Sequence, residues 1–301
     1  REGLEAVEGI ELDFVDVGTQ VNDITTEKIN KVVESISDHD VIVIAVGENP
    51  LRYDRKGKTT GENVARSSLG LFGRQLEMVQ AAKMMGKPTV VVLVNGRPIA
   101  EPWLVENIDA IIEVWEPGAK GGEALADIIM GKINPSGKLP ITIPYSVGHL
   151  QAIYDHKPSA YRHKFVDTPT QNLFEFGFGL SYSTYEYEAP KLSKRQIKSD
   201  ESTSISVKLT NTGKYGGAEI VQLYIRDDFS QITRPVKELK GFKKIYLEPG
   251  ESATIKFLVE PNMLAYYNRD MDWTVERGSY TLMIGPSSRQ SDLKSAKLIV
   301  N

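Results

Sequence analysis

The chain has no cysteine, only four histidines, and no apolar run near the length of about eighteen residues that a membrane-spanning helix needs. The first absence excludes disulfides and thiolate-held metals while leaving the compartment open. The last excludes a helical membrane span. An excess of either charge is also missing. With 36 Lys and Arg against 40 Asp and Glu, the net charge of -4 gives no surface suited to nucleic acid or an anionic membrane. A neutral or anionic ligand fits better. The glycines from Gly118 to Gly122 carry neither a Gly-x-Gly-x-x-Gly pattern nor a Lys-Ser/Thr ending, which excludes a nucleotide loop. There is no internal repeat, no low-complexity tract and no basic-then-apolar signal segment at the start. The chain opens at Arg1 rather than Met, inside a charged stretch, and reads as part of something longer.

What is present divides into two patterns, and 301 residues are most simply two domains. In the first part strands and helices alternate. Gly9 to Val15 partly alternates apolar and acidic residues, as an edge strand does. Ile29, Val32, Val33 and Ile36 mark an amphipathic helix with Asp23 or Thr25 as N-cap. Val41 to Val46 reads as a strand buried on both faces, Phe72 to Met85 as a helix stopped by Gly86-Lys87-Pro88, and Thr89 to Val94 as a second buried strand. A turn or short helix at Pro102, a strand from Ala110 to Trp115 and a helix from Gly122 to Met130 follow. Such alternation implies crossover connections and a mainly parallel sheet flanked by helices, an α/β sandwich.

After Asn134-Pro135-Ser136-Gly137-Lys138-Leu139-Pro140 the chain is rich in Pro, Gly and aromatics, and Phe174, Phe176, Phe178 and Tyr182 make it too apolar to be disordered. The period then becomes two. Ile205, Val207 and Leu209, then Val221, Leu223 and Ile225, then Ala253, Ile255 and Phe257, then Tyr280, Leu282 and Ile284 alternate with polar partners. Turn signals at Asn211-Thr212-Gly213, Glu248-Pro249-Gly250 and Arg277-Gly278 separate these short strands, the pattern of an all-β sandwich. The expected boundaries are 1–145 for the α/β domain, 146–187 for an ordered connector and 188–301 for the β-sandwich.

Function is sought in the polar loop between the Val41 strand and the Phe72 helix. Its roughly twenty residues exceed the usual strand-to-helix connection, and it lies outside the carboxyl end of a parallel strand, where open α/β sheets bind ligands. Within Thr59-Thr60-Gly61-Glu62-Asn63-Val64-Ala65-Arg66-Ser67-Ser68, the carboxylate of Glu62 is the candidate for chemistry, and Glu48, in Gly47-Glu48-Asn49-Pro50, is the runner-up. Gly61 and Arg66 are read as support for the loop. Arg97 and Asn95 read as turn residues, and Trp103 and Trp115 as core rather than as sugar-stacking platforms. His149, His156 and His163 are spaced by sevens, but Pro158 between them speaks against a shared helix face and a metal site.

Taken in order, these motifs resemble glycoside hydrolase family three. Gly61-Glu62-Asn63-Val64-Ala65-Arg66 is similar to the family's Gly-Glu-Gly-x-Asp-Arg segment, with Asn63 and Ala65 departing from it. Leu71-Phe72-Gly73-Arg74-Gln75 is similar to its Leu-Pro-Gly-x-Gln, with Phe72 in place of Pro. Val94-Asn95-Gly96-Arg97-Pro98, Trp115-Glu116-Pro117-Gly118, Asn134 to Pro140 and Phe176-Gly177-Phe178-Gly179-Leu180-Ser181-Tyr182 follow in the family's order. The resemblance implies an α/β sandwich domain followed by a fibronectin type III-like domain. It implies the C-terminal part of a retaining, exo-acting β-glycosidase, with Glu62 as general acid/base and the Asp nucleophile on a (β/α)8 barrel outside this chain, in the same polypeptide or a companion chain. A β-glucoside or short β-linked oligosaccharide is the implied substrate, with β-xylosidase and β-N-acetylglucosaminidase as alternatives, and with no cofactor and no metal. It also implies a periplasmic or secreted location and leaves homo-oligomerisation open. A non-catalytic carbohydrate-binding or interaction module is the alternative of another class.

Overall fold

The computed structural model describes residues 1–18, 23–50, 57–158 and 164–301. They form two compact units. One comprises Arg1–Lys132, Ile143–Leu150 and Val166–Leu173, the other Ile133–Thr142, Gln151–Phe165 and Phe174–Asn301. The stretch read as a connector is thus divided between them.

In the first unit the described elements are α1 (Glu2–Glu5), α2 (Thr26–Ser35), β1 (Ile42–Gly47), α3 (Gln75–Lys83), β2 (Thr89–Val94), α4 (Pro102–Asn107), β3 (Ala110–Glu113) and α5 (Gly121–Ile129). The three strands form a parallel sheet in the order β1-β2-β3, with Ile42 opposite Thr89 and Val90 opposite Ala110. Thr25 caps α2 by accepting from the Lys28 N–H, as its sequence position requires. That helix sends Ile29 and α3 sends Met78, Val79 and Ala82 onto the face of β1 that carries Ile42, Ile44 and Val46. The other face of β1 departs from the expectation: Val43 and Ala45 are exposed, because the described helices that pack on β1, α2 and α3, cover one side only. Two further expectations fail. Gly9 to Val15 forms no strand, since no described strand pairs with it and Ile10 and Phe14 stay exposed, Phe14 lying under the Arg1 guanidinium. The helix expected from Phe72 begins only at Gln75.

The second unit holds β4 (Tyr185–Tyr187), β5 (Lys191–Leu192), β6 (Gln196–Ile197), β7 (Thr203–Asn211), β8 (Gly217–Asp227), β9 (Glu238–Leu247), β10 (Ser252–Val259), α6 (Pro261–Leu264), β11 (Tyr266–Tyr267), β12 (Trp273–Thr274), β13 (Gly278–Gly285) and β14 (Lys294–Val300). One sheet runs β10-β7-β4 with β5 also on β7, and the other runs β6-β14-β13-β8-β9. Every pair is antiparallel except β6 with β14. The alternating apolar residues of β7 and β10 meet those of β8, β13 and β14 in one core. Within the aromatic stretch Phe176 stacks on Tyr154 at 4.2 Å and Phe174 on Phe178 at 5.2 Å between ring centroids.

Asn211 pins the rim of this sandwich. Fully buried at the end of β7, it donates to Tyr215 O (2.8 Å) and Leu247 O (2.9 Å) and accepts from Ser183 Oγ (2.7 Å) and the Gly213 N–H (3.0 Å). Removing it takes the amide donor from the buried Leu247 carbonyl and the acceptor from the Gly213 N–H, whereas Ser183 Oγ and Tyr215 O keep each other at 2.9 Å. Asn211→Ala is expected to lower the unfolding free energy by about 1–3 kcal/mol, the cost of one buried group left unpaired. Chemical denaturation of the two proteins checks this.

Candidate active site

The three strands of the first unit end side by side, and the backbone there is fixed before any loop begins. Gly47, the last residue of β1, has φ 149°, and a Cβ on it would lie 1.9 Å from Val94 O. Only glycine lets the strands run that close. The buried amide of Gln75 ties this end to α3: its Oε1 accepts from the Gly47 N–H (2.7 Å) and its Nε2 donates to Gly47 O (2.9 Å) and Phe72 O (3.0 Å). Gln75 closes the Leu71-Phe72-Gly73-Arg74-Gln75 segment, and its position in the sequence carries no sign of this role.

Next the chain closes a side excursion. The Asn49 N–H donates to Thr59 Oγ1 and the Thr59 N–H to Asn49 O, both at 2.9 Å, so Thr59 returns to the end of β1. Residues 51–56 of the excursion lie outside the described residues. Thr59 and Thr60 are buried, and the chain then emerges into a turn closed by the Val64 N–H on Gly61 O at 3.0 Å. Gly61 (φ 93°) and Asn63 (φ 61°) are both left-handed, a conformation that Asn tolerates better than most other residues. This explains physically how Asn63 can occupy a position where glycine was the family pattern. Glu62 stands between them at the crest, exposed. Lys58 Nζ holds its backbone carbonyl at 2.5 Å, and its carboxylate accepts no hydrogen bond from the described residues.

Glu48 has the opposite setting. Its side chain is fully buried, with Arg97 Nη2 at 2.5 Å and Arg66 Nη1 at 3.4 Å from Oε1. Arg66 also donates to Ser68 Oγ at 3.3 Å and lies 4.6 Å from the Phe72 ring centroid. Burial, then the neighbouring Arg97 charge, press the Arg66 pKa below the ordinary arginine value, and Glu48 opposes them. Asn95, after β2, donates through Nδ2 to Arg97 O (2.8 Å) and Glu113 Oε2 (3.2 Å). Arg97 and Asn95, read as turn residues, therefore shape the turn, and Arg97 in addition pairs with Glu48.

Trp115 ends β3 two residues earlier than expected, because its φ of 52° is left-handed. Such strain in a bulky residue persists only where the surroundings hold it. Glu113 Oε1 accepts the Trp115 N–H at 2.9 Å, and Trp115 O accepts the Asn95 N–H at 3.1 Å. Nothing in the sequence marked Glu113. Trp103 is half-buried against the core of the first unit. His149 is fixed by Ser146 Oγ (3.0 Å) and Pro169 O (2.8 Å), His156 sits beside Lys157 O (3.0 Å), and His163 lies outside the described residues. In the second unit Tyr267 faces Trp273 at 4.9 Å, while Tyr266 is buried.

Burial raises the Glu113 pKa above its ordinary 4.5, and the hydrogen bonds from Trp115 and Asn95 only partly oppose this. A raised folded value means that Glu113 contributes stability fully below pH 4.5 and loses it as pH rises through that raised value. Glu113→Gln keeps an acceptor for Trp115 and abolishes the titration. Its stability is expected to decline less than that of the wild type over this range, which melting curves at stepped pH check.

Comparison with known proteins gives two family models. The glycosyl hydrolase family 3 C-terminal domain matches residues 5–182, and the fibronectin type III-like domain matches residues 219–288. A β-xylosidase of Formosa agariphila is 39% identical over 94% of this chain and 39% of its own length, and a periplasmic β-glucosidase of Salmonella typhimurium is 37% identical over 90% and 36%. A β-glucosidase from Listeria innocua, solved with isofagomine, superposes with a TM-score of 0.88 at 31% identity, covering 99% of this chain and 41% of that one. The chain spans about two fifths of the length of these relatives.

Proposed function

The chain belongs to glycosyl hydrolase family 3, as its C-terminal part, and on that premise we propose that it supplies the general acid/base, Glu62, of a retaining exo-acting β-glycosidase. The observation that carries this reading is the contrast between the two candidate carboxylates. Glu62 is exposed on a turn formed by two left-handed residues, where a sugar's departing oxygen can reach it. Glu48 is buried and held by two guanidinium groups, out of reach of any substrate.

Retaining hydrolysis needs two carboxyl groups about 5 Å apart. In the proposed mechanism an Asp on a (β/α)8 barrel outside this chain attacks the anomeric carbon, while Glu62 gives its proton to the glycosidic oxygen and the aglycone leaves. Glu62, now ionised, then takes a proton from water as that water displaces the Asp, which regenerates both groups. No cofactor enters this chemistry. The substrate is a terminal β-D-glucosyl residue of a β-glucoside or short oligosaccharide. A β-xyloside is the second reading, favoured by the Formosa relative. The Salmonella relative's periplasmic name supports an extracytoplasmic location, and no described helix is long and apolar enough to cross a membrane.

In the longest natural polypeptide containing the chain, Glu62→Ala is expected to slow 4-nitrophenyl β-glucoside hydrolysis by about 10²- to 10⁴-fold. Azide should restore turnover and yield the β-glucosyl azide, because a small anion needs no general base. Wild-type rates in Glu62→Ala would contradict the assignment. Faster release from the β-xyloside than from the β-glucoside would select the second reading.

A further inference from the structure

Resting on that reading of Glu62, we infer that Glu48 is a positioning residue: its buried carboxylate, gripped by Arg97, is the anchor onto which Arg66 latches the loop that carries the acid/base. The loop leaves the fold at buried Thr60 and rejoins it at Leu69, whose carbonyl accepts the Ala100 N–H at 2.9 Å. Between those points Gly61 to Ser68 is exposed or half-exposed. The turn bond of Val64 on Gly61 is internal to the loop, and the Lys58 contact comes from a residue of the same connection. Among the described residues, the ties that bind this stretch to the strand ends and to the approach to α3 run through Arg66, by its ion pair with Glu48 and its face-on contact with Phe72.

The anchor itself is rigid. The Glu48 N–H donates to Val94 O at 2.9 Å, and the Arg97 carbonyl is held by Asn95, so carboxylate and guanidinium are fixed to the ends of β1 and β2. The latch has capacity in reserve. Arg66 reaches only Oε1, at 3.4 Å, and Glu48 Oε2 is buried with no hydrogen-bond partner among the described residues. A guanidinium forks naturally onto both oxygens of one carboxylate. Arg66 lies four residues from Glu62, so any slack in the latch is passed to the proton donor within one short stretch of chain. A catalytic group displaced by about 1 Å can cost 100-fold in rate.

The test separates misplacement of a proton donor from general damage by varying how much the leaving group needs a proton. In the full-length enzyme, kcat/KM is measured for 2,4-dinitrophenyl β-glucoside, phenyl β-glucoside and cellobiose with wild type, Glu62→Ala, Arg66→Ala, Arg66→Lys and Glu48→Gln. The expected result is that Arg66→Ala and Glu48→Gln lose about 10- to 100-fold on cellobiose and less than about threefold on the dinitrophenyl glycoside, with Arg66→Lys between them and wild type. Where Glu48→Gln does not fold, the two Arg66 variants decide the matter. Equal losses on all three substrates, beside a steep leaving-group dependence in Glu62→Ala, would overturn the latch alone. A flat dependence in Glu62→Ala would overturn the acid/base reading and the latch with it.

Discussion

The carboxylate of Glu48 has no access to water, and the ends of β1 and β2 are arranged around that fact. An ionised group in such a place is costly unless it is paired and hydrogen-bonded. Arg97 pairs with it from the end of β2 and Arg66 from the loop, so one buried charge draws together a strand end, a neighbouring turn and an otherwise exposed connection. Gly47 and Gln75 serve the same junction, the first by letting β1 approach β2, the second by tying β1 to α3. What emerges is a firm floor with one projecting carboxylate. Glu62 can stay exposed because the residues beneath it are not.

This division of labour suits acid/base catalysis by a group from one domain acting on a substrate held by another. The donor must be reachable, yet it must be held in place, since the chain supplies only part of the proposed catalytic machinery. An exposed side chain on a turn whose left-handed residues fix the local backbone meets the first need, and a latch onto a buried anchor meets the second.

Much of this was legible in the sequence, and the parts that were not have identifiable physical causes. β2 was read to the residue because a run of β-branched side chains in a central strand has no competing pattern. The β-sandwich was read from period-two alternation in β7, β8, β10 and β13, whereas β9 was missed: Lys240, Lys243 and Lys244 and the glycine at 241 disguise an edge strand as a loop. Both candidate carboxylates were found, but which one is buried was not legible, because Glu48 owes its burial to Arg66 and Arg97, 18 and 49 positions away in sequence. Glu113 is illegible in the sequence for a similar reason. Its importance arises from the left-handed turn at Trp115, which no local propensity announces.

The most direct measurement is the pre-steady-state release of 2,4-dinitrophenolate from its β-glucoside by Glu62→Ala in the full-length enzyme. That leaving group departs without a proton, whereas the glycosyl-enzyme still needs a general base for hydrolysis. A burst of one equivalent of dinitrophenolate per active site, followed by slow turnover, is therefore expected. Steady release at the wild-type rate with no burst would contradict the acid/base assignment.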